Sequence, residues 1–248
     1  MKKISIVTGG GTGIGRAIAL RLANLGHEVL IIGRRVEVLE ETRKLNSSRI
    51  TCLQADVSKV KGRQEIFSFV ENRNIEFLVH NAAILGEITK LEKLTLEEWH
   101  TIMAINVEGP MFLTQLLLPL MHKSRILHIS SGAAHHAIKG WTGYCVSKAA
   151  LYMLYLMQNA EYKEQGVLTA SLKPGIVDTE MQELIRQADV NEHPNMQKFH
   201  DLYNDDELES CDRVAKMVAW ILTKTRDKEY IENEFDIRDE KIQERWDK

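Results

Sequence analysis

Short apolar runs alternate with stretches of helical periodicity through most of this chain, and that alternation restricts the fold more than any other feature. The runs at 4–7, 28–32, 50–54, 77–80, 126–130 and 168–172 read as strands. Helices are expected near 14–25, 36–46, 59–72, 96–122 and 144–165, with another around 213–222. Strands separated by helices argue for a parallel sheet covered on both faces. The expected fold is therefore α/β: a single-domain, Rossmann-type doubly wound parallel sheet with helices on both faces. Its 248 residues suit one such domain spanning 1–248.

Composition narrows the function classes. The net charge of -3 gives no basic excess to attract nucleic acid or an anionic membrane. The apolar run 4–7 is too short for a secretory signal and breaks at once into glycines. The stretch 111–121 is interrupted by Thr114, Gln115 and Pro119 and falls short of a membrane span. Cys52, Cys145 and Cys211 match neither a disulfide framework nor a metal spacing, so no metal is expected. A reducing cytoplasm is the natural compartment for such a chain.

Two segments stand apart. Thr95 and Glu98 have the spacing of a capping box at the start of the 96–122 helix. On that helix Trp99, Ile102, Met103, Asn106 and Leu113 share one face, where Asn106 is a polar residue in an apolar stripe. The segment 180–209 has Pro194 and clustered Asn and Asp, and reads as an excursion holding two short helices. Long insertions of this kind serve as lids over a site, or simply as surface.

Thr8-Gly9-Gly10-Gly11-Thr12-Gly13-Ile14-Gly15 lies between the first strand and the first helix. Glycines allow a tight turn and close approach of a pyrophosphate, and the helix N-terminus supplies free N–H groups. The second strand ends Gly33-Arg34-Arg35. An acidic residue here would bind the ribose hydroxyls and repel a 2′-phosphate, whereas two arginines suit that phosphate. The cofactor expected is NADP(H).

Further motifs follow in order: Asp56-Val57, Asn81-Ala82-Ala83, Asn106, Ser130-Ser131, Tyr144-Cys145-Val146-Ser147-Lys148, and Pro174-Gly175-Ile176-Val177-Asp178-Thr179. Each is common alone; in this order and spacing the chain resembles the short-chain dehydrogenase/reductase family from Lys3 to about Met181. The resemblance implies that Asp56 meets the adenine amino group and Val57 packs beside the base. It places Asn81 near the adenosine ribose, with Ala82 beside it, and gives the nicotinamide carboxamide to Thr179 and the Val177 backbone. Pro174 and Gly175 belong to the same cofactor-binding turn. His80 stands where the family often has a second asparagine, and Ala83 where it often has glycine.

Tyr144 and Lys148 are four residues apart and share a helix face. A free phenol, pKa about 10, is a poor acid-base group at neutral pH, and a nearby ammonium is expected to lower it. Tyr144 can then protonate a carbonyl oxygen as hydride arrives. Ser131 lies thirteen residues before Tyr144, the family's usual interval, and is chosen over Ser130 to orient the carbonyl. By resemblance Lys148 also holds the nicotinamide ribose, and Asn106 anchors a water leading protons to Lys148. Each residue has a plainer reading: a helix-surface pair, a satisfied core amide, a strand-end serine.

After Ser131 the similarity tightens toward the sepiapterin reductase and benzil reductase group, through Lys139-Gly140-Trp141, 173–182 and the tail 233–239. In that group an aspartate receives the pterin's guanidine-like edge, and Asp236 is the matching position; its plainer reading is a charge in an acidic terminal strand. Trp141 is expected to stack on a flat substrate, Met181 to close over it, and His135 and His136 to form a polar rim. The function expected is NADPH-dependent reduction of a ketone or vicinal diketone. A noncatalytic NADPH sensor or scaffold, or an oxidative alcohol dehydrogenase, are the alternatives. Leu151, Met153, Leu154, Leu156 and Met157 give the helix after Tyr144 more apolar surface than a sheet contact needs, and the family implies a homodimer or homotetramer.

Overall fold

All six expected strands form, and a seventh joins them. They are β1 (Lys3–Thr8), β2 (Val29–Gly33), β3 (Ile50–Gln54), β4 (Asn74–His80), β5 (Ser124–Ile129), β6 (Val167–Lys173) and β7 (Glu234–Asp236). The computed structural model describes residues 2–188, 196–232 and 234–247. Every strand pair is parallel, in the order β3-β2-β1-β4-β5-β6-β7. The seventh strand escapes the apolar pattern because it is three residues long and buries only Phe235.

The helices are α1 (Gly13–Asn24), α2 (Val36–Leu45), α3 (Val60–Val70), α4 (Leu96–Met103), α5 (Gly109–Leu117), α6 (Thr142–Tyr162), α7 (Glu180–Gln187), α8 (Met196–Asn204), α9 (Cys211–Lys224), α10 (Asp227–Glu232) and α11 (Glu240–Trp246). Alternate strand residues face opposite layers. Val7, Ile31, Val79 and Leu127 share a core with Ile18 and Leu22 of α1 and Val214 and Val218 of α9. Ile6, Leu30, Leu78 and Ile126 pack with Ile66 of α3 and Leu113 and Leu117 of α5 on the other face. The chain moves outward from β1 to β3 and then returns to place β4 against β1. The crevice at the carboxyl ends of β1 and β4 is thus the topological switch point, where such sheets bind ligands.

The expected helix 96–122 runs unbroken over Leu96–Leu120 but changes type along its length. It comprises α4, a π-helical turn at Ala104–Glu108, α5, and a 3₁₀ turn at Leu118–Leu120. Its capping box forms as expected: the Glu98 N–H donates to Thr95 Oγ1 at 3.2 Å and the Thr95 N–H to Glu98 Oε2 at 3.0 Å. The π turn carries Asn106, whose buried amide bonds other segments, as described below. Leu96–Leu120 is apolar and long enough to cross a membrane by length and composition. Here Ile102, Ile105, Leu113 and Leu117 of this stretch are buried in the fold.

The departure at His80 has a structural reason. His80 Nε2 pairs with Thr114 Oγ1 of α5 at 2.9 Å, and its ring stacks on His128 of β5 at 5.0 Å. His128 Nε2 in turn meets Gln158 Oε1 of α6 at 2.8 Å. Burial pushes both imidazoles below their usual range, His128 to about 4, and keeps them neutral. Two helices are thereby hydrogen-bonded to two strands beneath the β4 and β5 carboxyl ends.

Segment 180–209 holds two short helices, α7 and α8. The Arg186 guanidinium lies over the Tyr203 ring at 4.1 Å and ties them together. Residues 189–195, Pro194 among them, and Asn233 of the tail lie outside the described residues.

Candidate active site

The glycine turn is built by close packing. Gly9 has φ +67°, a conformation costly for residues with a Cβ. A Cβ on Gly15 would sit 2.1 Å from the Gly9 carbonyl oxygen, so only glycine lets α1 pack on the turn. Thr8 locks the turn to the next loop: its Oγ1 accepts from the N–H groups of Asn81 and Ala82, at 3.0 and 3.1 Å. The Asn81 Nδ2 donates to the carbonyls of Thr8 and Gly9 at 3.0 and 3.2 Å. Asn81 and Thr8 are thus braces of the turn. Arg16, which sequence reasoning passed over, donates from Nε to the Gly11 carbonyl at 2.9 Å. Ile14 packs on the core beneath.

The two arginines at the end of β2 differ. Arg35 Nη2 pairs with Glu180 Oε2 at 3.1 Å, linking α2 to the start of α7. Among the described residues, Arg34 makes no side-chain ion pair; only its carbonyl is engaged, by Gln54 Nε2 at 2.8 Å. The two arginines expected at the 2′-phosphate are therefore not equivalent: Arg35 is engaged by Glu180, and Arg34 has no ion pair among the described residues. Asp56 Oδ1 accepts from the Ser58 N–H and hydroxyl at 2.9 and 2.7 Å. Val57 is buried and its carbonyl accepts from Arg63 Nη1 at 2.7 Å.

The end of β6 comes to the same place. Thr179 caps α7, its Oγ1 accepting from the Gln182 N–H at 3.4 Å and donating to the Val177 carbonyl at 3.3 Å. A Cβ on Gly13 would meet Thr179 Cγ2 at 3.3 Å, so the first turn and the sixth strand's exit are in contact. The preceding Pro174 is buried, and Gly175 turns the chain with φ +79°.

Tyr144 stands in the first turn of α6, and Lys148 one turn behind it. The Lys148 Nζ lies 5.5 Å from the Tyr144 ring centroid and donates to the Ile129 carbonyl at 2.8 Å. Both side chains are buried, at 7% and 3% exposure. The expected lowering of the Tyr144 pKa is overturned: burial pushes it up to about 12, and a hydrogen bond with the Ser131 side chain pulls it partly back. That rise corresponds to about 3 kcal/mol against the phenolate. Burial also moves Lys148 down to about 8, so the ammonium is itself destabilised. Ser131 Oγ accepts from the Ala133 N–H at 3.1 Å at the exit from β5.

Asn106 takes its plainer form. Its Oδ1 accepts from the Ile84 N–H at 2.9 Å, while Nδ2 donates to the Ile84 carbonyl at 2.8 Å and to Ser147 Oγ at 3.0 Å. Both amide hydrogens are used, so a water would find no free donor on this side chain. Asn106 joins the loop after β4 to the Tyr144 helix, and Ser147, at the third residue after Tyr144, is its partner there.

Beside Tyr144 is an apolar cluster of Leu85, Ala133, Trp141, Ile185 and Phe199, with Met181 partly buried against it. Trp141 meets Tyr144 edge-on at 5.8 Å and Phe199 of α8 nearly parallel at 5.9 Å. Phe199, Leu85 and Ile185 were not singled out from sequence; the only prior signal for Phe199 was its place in the segment 180–209.

Asp236 is corrected as well. It is not a free carboxylate: Arg238 Nε and Nη2 grip it at 3.0 and 2.8 Å, and Lys173 Nζ lies 3.3 Å away. Partial burial raises its pKa, but the Arg238 bonds and the Lys173 charge outweigh this and hold it at about 2. A fork that would receive a guanidine-like edge is already filled by a guanidinium. His135 pairs with Glu234 at 2.6 Å and sits edge-on to Tyr152 at 4.7 Å.

The features a dinucleotide needs are present: a glycine turn packed without side chains at the start of α1, and at the end of β2 the Arg34 guanidinium, with no ion pair among the described residues. Comparison with known proteins agrees. The model of the short chain dehydrogenase family matches residues 3–190. A benzil reductase ((S)-benzoin forming) of Bacillus subtilis (strain 168) is 29% identical over 229 residues, covering 90% of this chain and 94% of the relative. Its counterpart from Bacillus cereus is 31% identical over 231 residues, 88% and 92% of the two chains. In fold, a short-chain dehydrogenase/reductase from Saccharomyces cerevisiae, YIR035C, superposes with a TM-score of 0.88 at 23% identity, covering 98% and 99%. The chain belongs to the short-chain dehydrogenase/reductase family, whose cofactors are the nicotinamide dinucleotides.

Proposed function

We propose that this protein is an NADPH-dependent reductase of ketones and vicinal diketones that carry a flat ring. The observation that carries the reading is the Ser131–Tyr144–Lys148 group at the carboxyl end of β5, with Tyr144 and Lys148 buried and the Ser131 side chain bonded to Tyr144. The benzil reductase relatives support the diketone class.

Thr8, Gly9, Gly13, Ile14 and Gly15 would hold the pyrophosphate side of the cofactor, Arg34 the 2′-phosphate, and Asp56, Val57, Asn81 and Ala82 the adenosine. Pro174, Gly175, Val177 and Thr179 would hold the nicotinamide end. When bound, NADPH supplies the hydride to the carbonyl carbon. Tyr144, kept protonated by its burial, donates its phenolic proton to the carbonyl oxygen. Ser131 donates a hydrogen bond to the same oxygen and so fixes which carbonyl face is presented. The phenolate left behind is unfavourable in this apolar setting, and the adjacent Lys148 ammonium offsets that cost. Lys148, at about 8, can return a proton to Tyr144 near neutral pH. Asn106 keeps α6 in register with the loop after β4.

The outer face of α6 exposes Val146, Met153, Leu156 and Met157, and α5 adds Met111. This face is the proposed surface for a homodimer or homotetramer.

The test is oxidation of NADPH and NADH with a carbonyl panel. The reading expects vicinal diketones bearing rings to be reduced fastest, with NADPH preferred. Simple aldehydes reduced as fast as diketones would overturn the substrate class, and equal use of NADH the cofactor.

A further inference from the structure

We propose that Trp141 and Phe199 are the two faces of an aryl-binding slot, with Phe199 the face that the lid helix α8 contributes. The proposal rests on the carbonyl reductase reading and adds to it the element that recognises the ring.

Trp141 is the fixed face. Its N–H donates to the Ile138 carbonyl at 3.0 Å, its carbonyl accepts from the Cys145 N–H at 2.8 Å, and it bridges to Thr89. It is the N-cap residue of α6, so its ring position is tied to that of Tyr144, which it meets edge-on at 86°. Phe199 is the movable face. It sits on a helix tied to α7 by Arg186 and Tyr203, and it reaches the body of the protein through side-chain packing.

The two rings are within 14° of parallel at a centroid separation of 5.9 Å. A flat ring held between two others needs its neighbours about 7–8 Å apart, twice the usual carbon contact distance. The faces therefore need to part by up to about one ring thickness, roughly 3.5–4 Å, to admit an aryl group, a displacement of the kind lid helices make. Their near-parallel setting suits stacking on both sides. Because Trp141 also touches Tyr144, a carbonyl bonded directly to the stacked ring lies beside the phenol. A carbonyl flanked only by small alkyl groups has no ring to be gripped, so the slot selects aryl over alkyl diketones.

The experiment compares 1-phenyl-1,2-propanedione with 2,3-butanedione, which differ by phenyl against methyl. Kd for the phenyl compound is measured by tryptophan quenching on the NADP⁺-loaded protein, and kcat/KM for both compounds by NADPH oxidation. The proteins are wild type, Phe199→Ala and Phe199→Leu; leucine keeps an apolar side chain and removes the ring, and melting temperatures report folding. The slot predicts that both variants weaken phenyl-compound binding about fivefold and lower the phenyl-to-methyl kcat/KM ratio to the same degree, within the range of one aromatic pair. An unchanged Kd and ratio in a folded Phe199→Leu overturns the slot and leaves the reductase reading standing. Ring binding that depends on Phe199 in a wild type that reduces neither compound supports the slot and overturns the reductase reading. A wild type that does not bind the phenyl compound overturns the slot.

Discussion

The nucleotide side and the substrate side of this site are held together by different forces. Around the glycine turn, Thr8 and Asn81 make four buried or half-buried hydrogen bonds between backbone segments, and Gly15 packs where no Cβ fits. Around Trp141 the contacts are ring on ring and ring on aliphatic side chain, drawn from the loop after β4, α6, α7 and α8. Directional bonds with glycine clearances define one geometry; apolar packing tolerates shifts and substitutions of similar volume. One scaffold can therefore keep its cofactor geometry while its substrate pocket changes.

The largest test of this contrast lies where the two sides meet. Tyr144→Phe removes the proton donor and leaves the cradle intact, so kcat should fall about 100- to 10,000-fold while the NADPH Kd, measured by fluorescence, changes less than threefold. Next come the arginines. Arg34→Ala removes a free cation from the end of β2, and kcat/KM for NADPH should fall about 10- to 100-fold with NADH little affected. Arg35→Ala should cost several-fold less, because Arg35 already pairs with Glu180. Equal losses would erase the distinction drawn between them.

The pH dependence is a smaller effect with a definite sign. Lys148 is charged below about 8 and loses its proton above, while Tyr144 stays protonated to about 12. Reductive kcat/KM should hold level up to about pH 8 and then fall up to tenfold per pH unit. In Lys148→Arg, whose guanidinium does not titrate in this range, that limb should be absent up to pH 10 whatever the absolute rate. Smallest is a change in stability. Gly15→Ala should lower Tm by about 5 °C through overpacking, and Met181→Ala by less than half of that.

The same contrast explains what could be read from the sequence. Strand runs, the glycine turn, the Thr95–Glu98 cap and the Tyr144–Lys148 spacing are local signals, and each holds in the structure. The signals that misled depend on partners that residue spacing does not announce, whether two residues away or more than a hundred. Asp236 and Arg35 look like free charges until Arg238 and Glu180 arrive beside them. Asn106 looks available until the Ile84 backbone, 22 residues earlier, takes up its amide. The phenol of Tyr144 looked set to be acidified by its neighbour, but the burial that makes it a pocket residue acts in the opposite sense. Phe199 had no pattern to announce it, because its role comes from a contact with Trp141, 58 residues earlier in the sequence.

The most direct measurement follows the hydride itself. The protein is incubated with 1-phenyl-1,2-propanedione and NADPH dideuterated at C4 of the nicotinamide, and the alcohol product is weighed by mass spectrometry. One deuterium on the new carbinol carbon, formed by wild type and not by Tyr144→Phe, is the predicted result. An unlabelled product, or product formed equally by Tyr144→Phe, would contradict the account.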